Sequence, residues 1–240
     1  DLVYKEAQFY MIAVAALLLM FSFAVIYNPV EAAGGVLRGE LTRWLAIMPL
    51  VLYGIYVFVQ YQDTMDYQSD EDVSHIQPVK EWGRLAGGLA LILVGVEGLV
   101  RAAVNFGDIL GTPSFLWGIT IVAAGTSIPD AFVSVRAARH GKGITSTANV
   151  LGSNIFDLLC CIPIGVLIAG SAIINYSVAA PLMAVLTLAT LALFLMMRTD
   201  MILSRKESWS LLTMYGGFVV WMGLESVNLT NLIVNFPPGA

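Results

Sequence analysis

The sequence predicts an all-α, multi-pass membrane protein with about seven transmembrane helices. Of its 240 residues, 58% are hydrophobic and 12% are charged, and the mean hydropathy is +0.80. An average soluble domain has about 45–50% apolar and about 25% charged residues, so this chain is too apolar for an aqueous fold. The apolar residues also fall in runs of about 20, the length that an α-helix needs to cross a bilayer.

Seven such runs follow one another along the chain. They cover approximately residues 9–27, 43–61, 84–105, 114–139, 146–170, 176–197 and 209–227. The long polar connection 62–82 interrupts them and is rich in acidic residues, including Asp63, Asp66, Asp70, Glu71 and Asp72. A solvated acidic linker is the simpler interpretation of this connection, and a regulatory cation-binding loop is the alternative.

The distribution of basic residues predicts the orientation, because cytoplasmic loops of membrane proteins carry an excess of Lys and Arg. With seven crossings, nine basic residues fall on one side: Lys5, Lys80, Arg84, Arg136, Arg139, Lys142, Arg198, Arg205 and Lys206. Three fall on the other: Arg38, Arg43 and Arg101. We therefore expect the N-terminus and the loop 62–82 in the cytoplasm of a cell-membrane protein, and the C-terminus outside.

Charge and cysteine placement exclude several other classes of protein. The net charge of −5 is small and comes mainly from one loop, so nucleic acid is not expected as a partner. Cys160 and Cys161 are adjacent in an apolar segment, where their side chains point apart, which argues against a disulfide or a zinc site and favours packing roles. Glu97 and Arg101 are four residues apart in the third segment, where an ion pair would lower the cost of inserting both charges.

A faint internal repeat relates the second and seventh segments. The sequence of residues 42–56 can be aligned with that of residues 207–221. Trp44 then matches Trp209, Tyr53 matches Phe218 and Tyr56 matches Trp221. The two copies are five crossings apart and therefore run in opposite directions. Inverted repeats of this kind are typical of secondary transporters.

The repeat divides the chain into three parts. We expect residues 1–61 to form the last two helices of a first repeat, residues 62–82 the acidic cytoplasmic loop, and residues 83–240 a complete second repeat of five helices. On this interpretation the first repeat lacks about three helices. The first two helices are expected to slide against the second repeat as a gating bundle.

Two polar motifs interrupt the fourth and fifth segments at mid-depth. The first is Ala-Ala-Gly-Thr-Ser-Ile-Pro-Asp at residues 123–130, and the second is Asn-Val-Leu-Gly-Ser-Asn-Ile-Phe-Asp at residues 149–157. A carboxylate at the centre of a membrane helix costs about 2.5–3.5 kcal/mol on insertion scales. Two such helices so close in sequence therefore predict a functional site.

Residue spacing places the polar side chains of each motif together. Thr126, Ser127 and Asp130 share one helical face, and Ser153 and Asp157 repeat the four-residue spacing with Asn154 on an adjoining face. Pro129 removes a backbone donor, so we expect an interrupted helix with free carbonyl groups near Gly125 and Thr126.

Together the two motifs offer carboxylate, hydroxyl, amide and carbonyl oxygens, a set that suits Na⁺, K⁺, Ca²⁺ or Mg²⁺. Ca²⁺ takes about 6–8 oxygens at roughly 2.3–2.6 Å. This chain supplies ligands from one side, so we expect the absent helices of the first repeat, or a second chain, to complete the cage.

Gly-Thr-Ser-Ile-Pro-Asp130 and Gly-Ser-Asn-Ile-Phe-Asp157 resemble the second alpha-repeat of the sodium/calcium exchangers, within the cation/calcium exchanger superfamily. The resemblance runs from about Gly87 through Leu167. It implies a partial ten-helix inverted-repeat fold and antiport of Ca²⁺ against Na⁺ by alternating access, without an additional cofactor. It also implies a metal site at Thr126, Ser127, Asp130, Ser153 and Asp157, with Asn154 beside them.

Two residues depart from the family pattern. Asp130 stands where prokaryotic members commonly have glutamate, and this shorter carboxylate resembles the potassium-dependent branch, so a K⁺ requirement is left open. Ala148 stands before Asn149 where glycine is usual.

Three alternatives remain. An intramembrane aspartyl protease would use two aspartates, but its Gly-x-Gly-Asp pattern is missing, and we predict that the protein is not an enzyme. A proton/Ca²⁺ exchanger is closer, because a membrane carboxylate is readily protonated. A non-transporting half subunit would account for the missing helices.

Overall fold

A computed structural model describes residues 2–31, 36–65, 77–112, 114–198 and 203–233. The centre of the predicted acidic loop, with Asp66, Asp70, Glu71 and Asp72, lies outside the described residues. The chain forms two compact units, one made of residues 1–58 and 129–240 and the other of residues 59–128.

The described residues form seven helical rods. The helices are α1 (Leu2–Tyr27), α2 (Arg43–Met65), α3 (Pro78–Leu110), α4 (Ser114–Trp117), α5 (Ala123–Arg139), α6 (Gly143–Phe156), α7 (Ile162–Ala169), α8 (Tyr176–Met197) and α9 (Arg205–Ser226). A first π-helical turn (Gly118–Val122) joins α4 to α5, and a second (Asp157–Cys161) joins α6 to α7. The rods therefore match the seven predicted segments.

Among the described residues, six rods are long and apolar enough to cross a membrane. They cover Val3–Tyr27, Arg43–Met65, Pro78–Leu110, Phe115–Arg139, Gly143–Ala169 and Tyr176–Met197. The seventh, α9, has the length but is less apolar, because it contains Arg205, Lys206, Glu207 and Glu225. The prediction of an all-α multi-pass membrane protein is confirmed.

The core of the larger unit is built on α1. One side of this helix is buried over its whole length, and small residues such as Ala7, Ala13 and Ala24 lie on that side. It packs against α6 and α8, and Leu151 and Ile155 of α6 belong to the same buried cluster. Small side chains let helix backbones approach closely, as is common between membrane helices.

A short antiparallel sheet, in the order β1-β2-β3, adds to the helical fold. Its strands are β1 (Pro29–Val30), β2 (Arg38–Thr42) and β3 (Ser171–Asn175). The β2–β3 register runs from Arg38 opposite Asn175 to Thr42 opposite Ser171. The sheet thus joins the α1–α2 connection to the α7–α8 connection, about 130 residues later in the chain.

The first two helices pack with helices that follow both motifs. We predicted that α1 and α2 form a gating bundle that slides against the second repeat. In the structure, α1 and most of α2 belong to the same compact unit as α6, α7 and α8. Strand β2, which pairs with β3, runs directly into α2. The sliding motion itself stays a prediction.

The smaller unit contains α3, α4 and the first π-helical turn. Helix α3 ends at Gly111, which adopts a left-handed conformation (φ 60°) and donates its N–H to the carbonyl of Gly107. The predicted ion pair on α3 is confirmed: Arg101 Nε lies 2.8 Å from Glu97 Oε1. The rings of Phe106 and Trp117 pack with centroids 5.4 Å apart, which holds α4 against α3.

Candidate cation site

The first motif lies on α5, which stays helical through Pro129. The predicted interruption at this proline is therefore wrong, and the irregular backbone lies instead in the π-helical turn that precedes Ala123. Proline is tolerated inside a membrane helix when side-chain hydroxyls and local π adjustments satisfy the backbone groups it disturbs. Because proline has no N–H, the carbonyl of Gly125 still lacks its usual helical donor.

The two hydroxyls of the first motif bond to the preceding turn of backbone. Thr126 Oγ1 donates to the carbonyls of Val122 and Ala123, both at 3.1 Å. Ser127 Oγ donates to the Ala123 carbonyl at 3.0 Å. Each hydroxyl oxygen keeps lone pairs that can face a cation. Thr126 and Ser127 belong to the smaller unit, and Asp130, further along the same helix, belongs to the larger one.

The second motif lies on α6 and runs into the second π-helical turn at Asp157. The Asp157 N–H bonds to the carbonyls of Ser153 and Asn154, and Ser153 Oγ donates to the carbonyl of Val150 at 3.1 Å. π-helical turns inside α-helices occur frequently at functional sites, since they re-aim side chains. Both motif helices carry such a turn beside their polar residues.

A hydrogen bond between side chains clasps the two motif helices together. Asn149 Nδ2 on α6 donates to Ser134 Oγ on α5 at 3.0 Å, and Ser134 is buried. Ser134 lies one turn after Asp130, and Asn149 lies one turn before Ser153. The clasp therefore acts next to the predicted ligands. Sequence reasoning missed Ser134, although its four-residue spacing from Asp130 was a signal that could have found it.

Asp130 and Asp157 lie in the same unit, on the two helices that the Asn149–Ser134 hydrogen bond joins. Asp130 is partly buried and Asp157 is exposed. Two carboxylates that repel each other favour either a shared proton or a cation between them. Among the described residues, no group of three or more His, Cys, Asp and Glu side chains could hold a metal ion, so a cation here would depend also on hydroxyl, amide and carbonyl oxygens.

The two cysteines differ in environment. Cys160 is buried, in agreement with the predicted packing role. Cys161 is exposed, so burial supports the packing role for Cys160 alone.

Asn154 faces a different part of the molecule from its neighbours in the motif. It lines a largely apolar cavity of about 330 Å³, together with Tyr10, Thr190 and Phe218. This position agrees with the adjoining helical face predicted for it. The larger unit therefore contains Asp130, Ser153, Asn154 and Asp157 of the six predicted ligands.

Comparisons with known proteins match both motifs to one family. The family model described as "Sodium/calcium exchanger protein" matches residues 80–224, a range that includes both motifs. No solved structure matches the chain with significance.

Several named relatives are similar to parts of the chain. The provisionally named antiporter CaxA of Alkalimonas amylolytica is 31% identical over 182 residues, 75% of this chain and 55% of that protein. Human sodium/potassium/calcium exchanger 5 is 52% identical over 54 residues, 22% of this chain and 11% of that protein. A sodium/calcium exchanger of Methanosarcina acetivorans is 42% identical over 69 residues, 29% of this chain and 20% of that protein. The match thus spans about half the length of the first relative and less of the others.

Proposed function

Since the chain belongs to the sodium/calcium exchanger family, we propose that it forms part of a secondary active antiporter that exchanges Ca²⁺ for Na⁺ by alternating access. The observation that carries this proposal is the pair of motif helices, which are clasped through Asn149 and Ser134 and each bear one motif aspartate, Asp130 or Asp157. An acidic pair within membrane-spanning helices is costly without a compensating cation. A bound cation would offset this free-energy cost, and an antiporter binds cations at such a depth.

The proposed ligands are the six oxygen-bearing side chains of the two motifs: Thr126, Ser127, Asp130, Ser153, Asn154 and Asp157. Ca²⁺ prefers about 6–8 oxygen ligands, so two carboxylates and a few neutral oxygens make half of a cage. We propose that further helices, in the same protein or in a second chain, supply the facing half. Na⁺ and Ca²⁺ would compete for the same oxygens, so each ion leaves only when the other displaces it.

The finer points of transport are also proposals. The similarity to proteins named as sodium/potassium/calcium exchangers supports a test for K⁺ dependence. The excess of basic residues on one side of the helices supports placing the N-terminus and the loop 62–82 in the cytoplasm.

Ion flux into proteoliposomes tests the proposed function. The complete protein, as its gene encodes it, should take up ⁴⁵Ca²⁺ when an outward Na⁺ gradient is imposed, with and without K⁺. We expect Asp130→Asn to abolish this uptake, because the cage loses one compensating charge. Asp108→Asn is the matched control, since Asp108 is exposed on α3 outside both motifs, and it should leave uptake unchanged.

Two results would contradict the proposal. Near-normal uptake by Asp130→Asn would show that the first motif does not belong to the ion site. Uptake that follows a pH gradient and ignores Na⁺ would identify a proton/Ca²⁺ exchanger instead.

A further inference from the structure

A buried carboxylate on α1 takes no part in the proposed cation site. Glu6 is only 4% exposed, although it lies in a helix apolar enough to span the membrane. A carboxylate in such a position must be hydrogen-bonded to offset the cost of removing it from water. Tyr56 of α2 supplies this hydrogen bond. Its hydroxyl donates to the Glu6 carboxylate and lies 3.2 Å from Oε1 and 2.9 Å from Oε2.

The same tyrosine also lies beside the second motif. A Cβ atom added to Gly152 would lie 3.6 Å from the Tyr56 hydroxyl oxygen, an ordinary van der Waals contact. One turn earlier on α2, the ring of Tyr53 packs on Phe156, with centroids 5.7 Å apart. Side chains of α2 therefore lie beside α6 at the residues immediately before the proposed ligands Ser153 and Asp157.

These two approaches lie on one face of α6, a helix that packs mainly on α1. Residues 152 and 156 are four apart and share that face. Each residue along an α-helix turns by about 100°, so 153 lies on the neighbouring face, and Asp157 follows at the start of the second π-helical turn. Side chains of α2 beside 152 and 156 are therefore placed to influence where Ser153 and Asp157 point.

We propose that Glu6 and Tyr56 form a brace that orients Ser153 and Asp157 toward the cation. Glu6 anchors the Tyr56 hydroxyl, and the rings of Tyr56 and Phe9 of α1 pack edge to face, with centroids 5.1 Å apart. Both are positioning residues, because they act on the cation only through α6. This inference rests on the proposed function and deepens it by naming what sets the Ca²⁺ affinity of the second motif.

The test compares tyrosine-to-phenylalanine variants that remove one hydroxyl each. In the complete protein in proteoliposomes, Tyr56→Phe should raise the half-saturating Ca²⁺ concentration (KM) about tenfold, equivalent to about 1.4 kcal/mol. The maximal rate and the thermal unfolding temperature should change little. Glu6→Gln should raise KM less, because the amide still accepts one hydrogen bond. Combining the two substitutions should add little to Tyr56→Phe, since both break the same contact.

Tyr53→Phe is the matched control. It keeps the ring on Phe156 and removes a hydroxyl from the same helix, so KM should stay within twofold of the parent. The brace is overturned if Tyr56→Phe behaves like Tyr53→Phe, or if it lowers the maximal rate with KM unchanged.

If Tyr56→Phe does not accumulate as folded protein, Glu6→Gln gives the same measurement, because it preserves size and the aromatic packing. Loss of folded protein in both variants would assign the brace to stability alone and overturn the proposal. Failure of the proposed function itself is recognised separately, by Ca²⁺ uptake that persists in Asp130→Asn.

Discussion

Replacing Gly39 by alanine tests whether the short sheet is closely packed on α1. Gly39 is buried on β2, and an added Cβ would lie 2.6 Å from both the Ala24 carbonyl carbon and the Val25 nitrogen. These are backbone atoms of α1, which cannot rotate away as a side chain can. Gly39→Ala must therefore push β2 off α1 or bend the end of the helix.

The expected cost follows from this overpacking. Extra methyl groups forced into a closely packed site cost about 1–3 kcal/mol. For a chain of this length each kcal/mol lowers the thermal midpoint by about 2–4 °C, so Gly39→Ala should lower the Tm by about 2–12 °C. Thermal unfolding of the detergent-solubilised protein, followed by size-exclusion chromatography, measures this change.

Gly54→Ala provides the control, because it is the same chemical change with no atom within 4 Å of the new Cβ. Gly54 lies inside α2, where alanine is favoured over glycine by about 0.5–1 kcal/mol. Its Tm should therefore stay the same or rise. An equal Tm for the two variants would refute the close approach of β2 to α1.

Two further predictions concern the motif helices and the start of α9. Ser134→Ala should leave Asn149 Nδ2 without its partner at a partly buried position, at a cost of about 1–3 kcal/mol, and both the Tm and the Ca²⁺ uptake should fall. Thr147→Val should change neither, since the Thr147 hydroxyl donates to Gly143 in its own helix, and equal effects of the two substitutions would refute the clasp. At α9, hydrogen bonds from the backbone and side chain of Ser204 lower the pKa of Glu207. A lowered pKa means that this stabilisation is complete above the pKa of an unfolded glutamate and is lost as the pH falls through the lowered value. Amide exchange in the first turn of α9 should accelerate in acid, and in Glu207→Ala it should be fast at neutral pH; a rate independent of both changes would contradict the capping box.

The membrane class and the helical rods could be predicted from the sequence because they depend on the hydropathy summed over neighbouring residues. Whether a segment crosses a bilayer depends on the transfer of about 20 consecutive residues, and the rods overlap the predicted segments, with the largest differences at the start of α1 and at both ends of α3. The Glu97–Arg101 ion pair could be predicted for the same reason, since four-residue spacing on a helix brings two side chains together.

The contacts around the candidate site could not be predicted in this way. Ser134 and Asn149 meet across two helices, and Glu6 reaches Tyr56 from 50 residues away. Neither pair has a spacing that identifies it. The sheet was missed because its strands are at most five residues long and β3 pairs with a strand far away in the chain.

The membrane class and the two acidic, hydroxyl-bearing motifs follow from the amino-acid sequence alone, because hydropathy and helical spacing are properties of neighbouring residues. The packing of α1 and α2 into one core with α6 and α8, and the contact of Tyr53 with Phe156 in the second motif, are visible only in the folded structure. Such contacts depend on which helices pack together and at what rotation. That choice is made by shape and hydrogen bonding between distant segments, which no local pattern encodes.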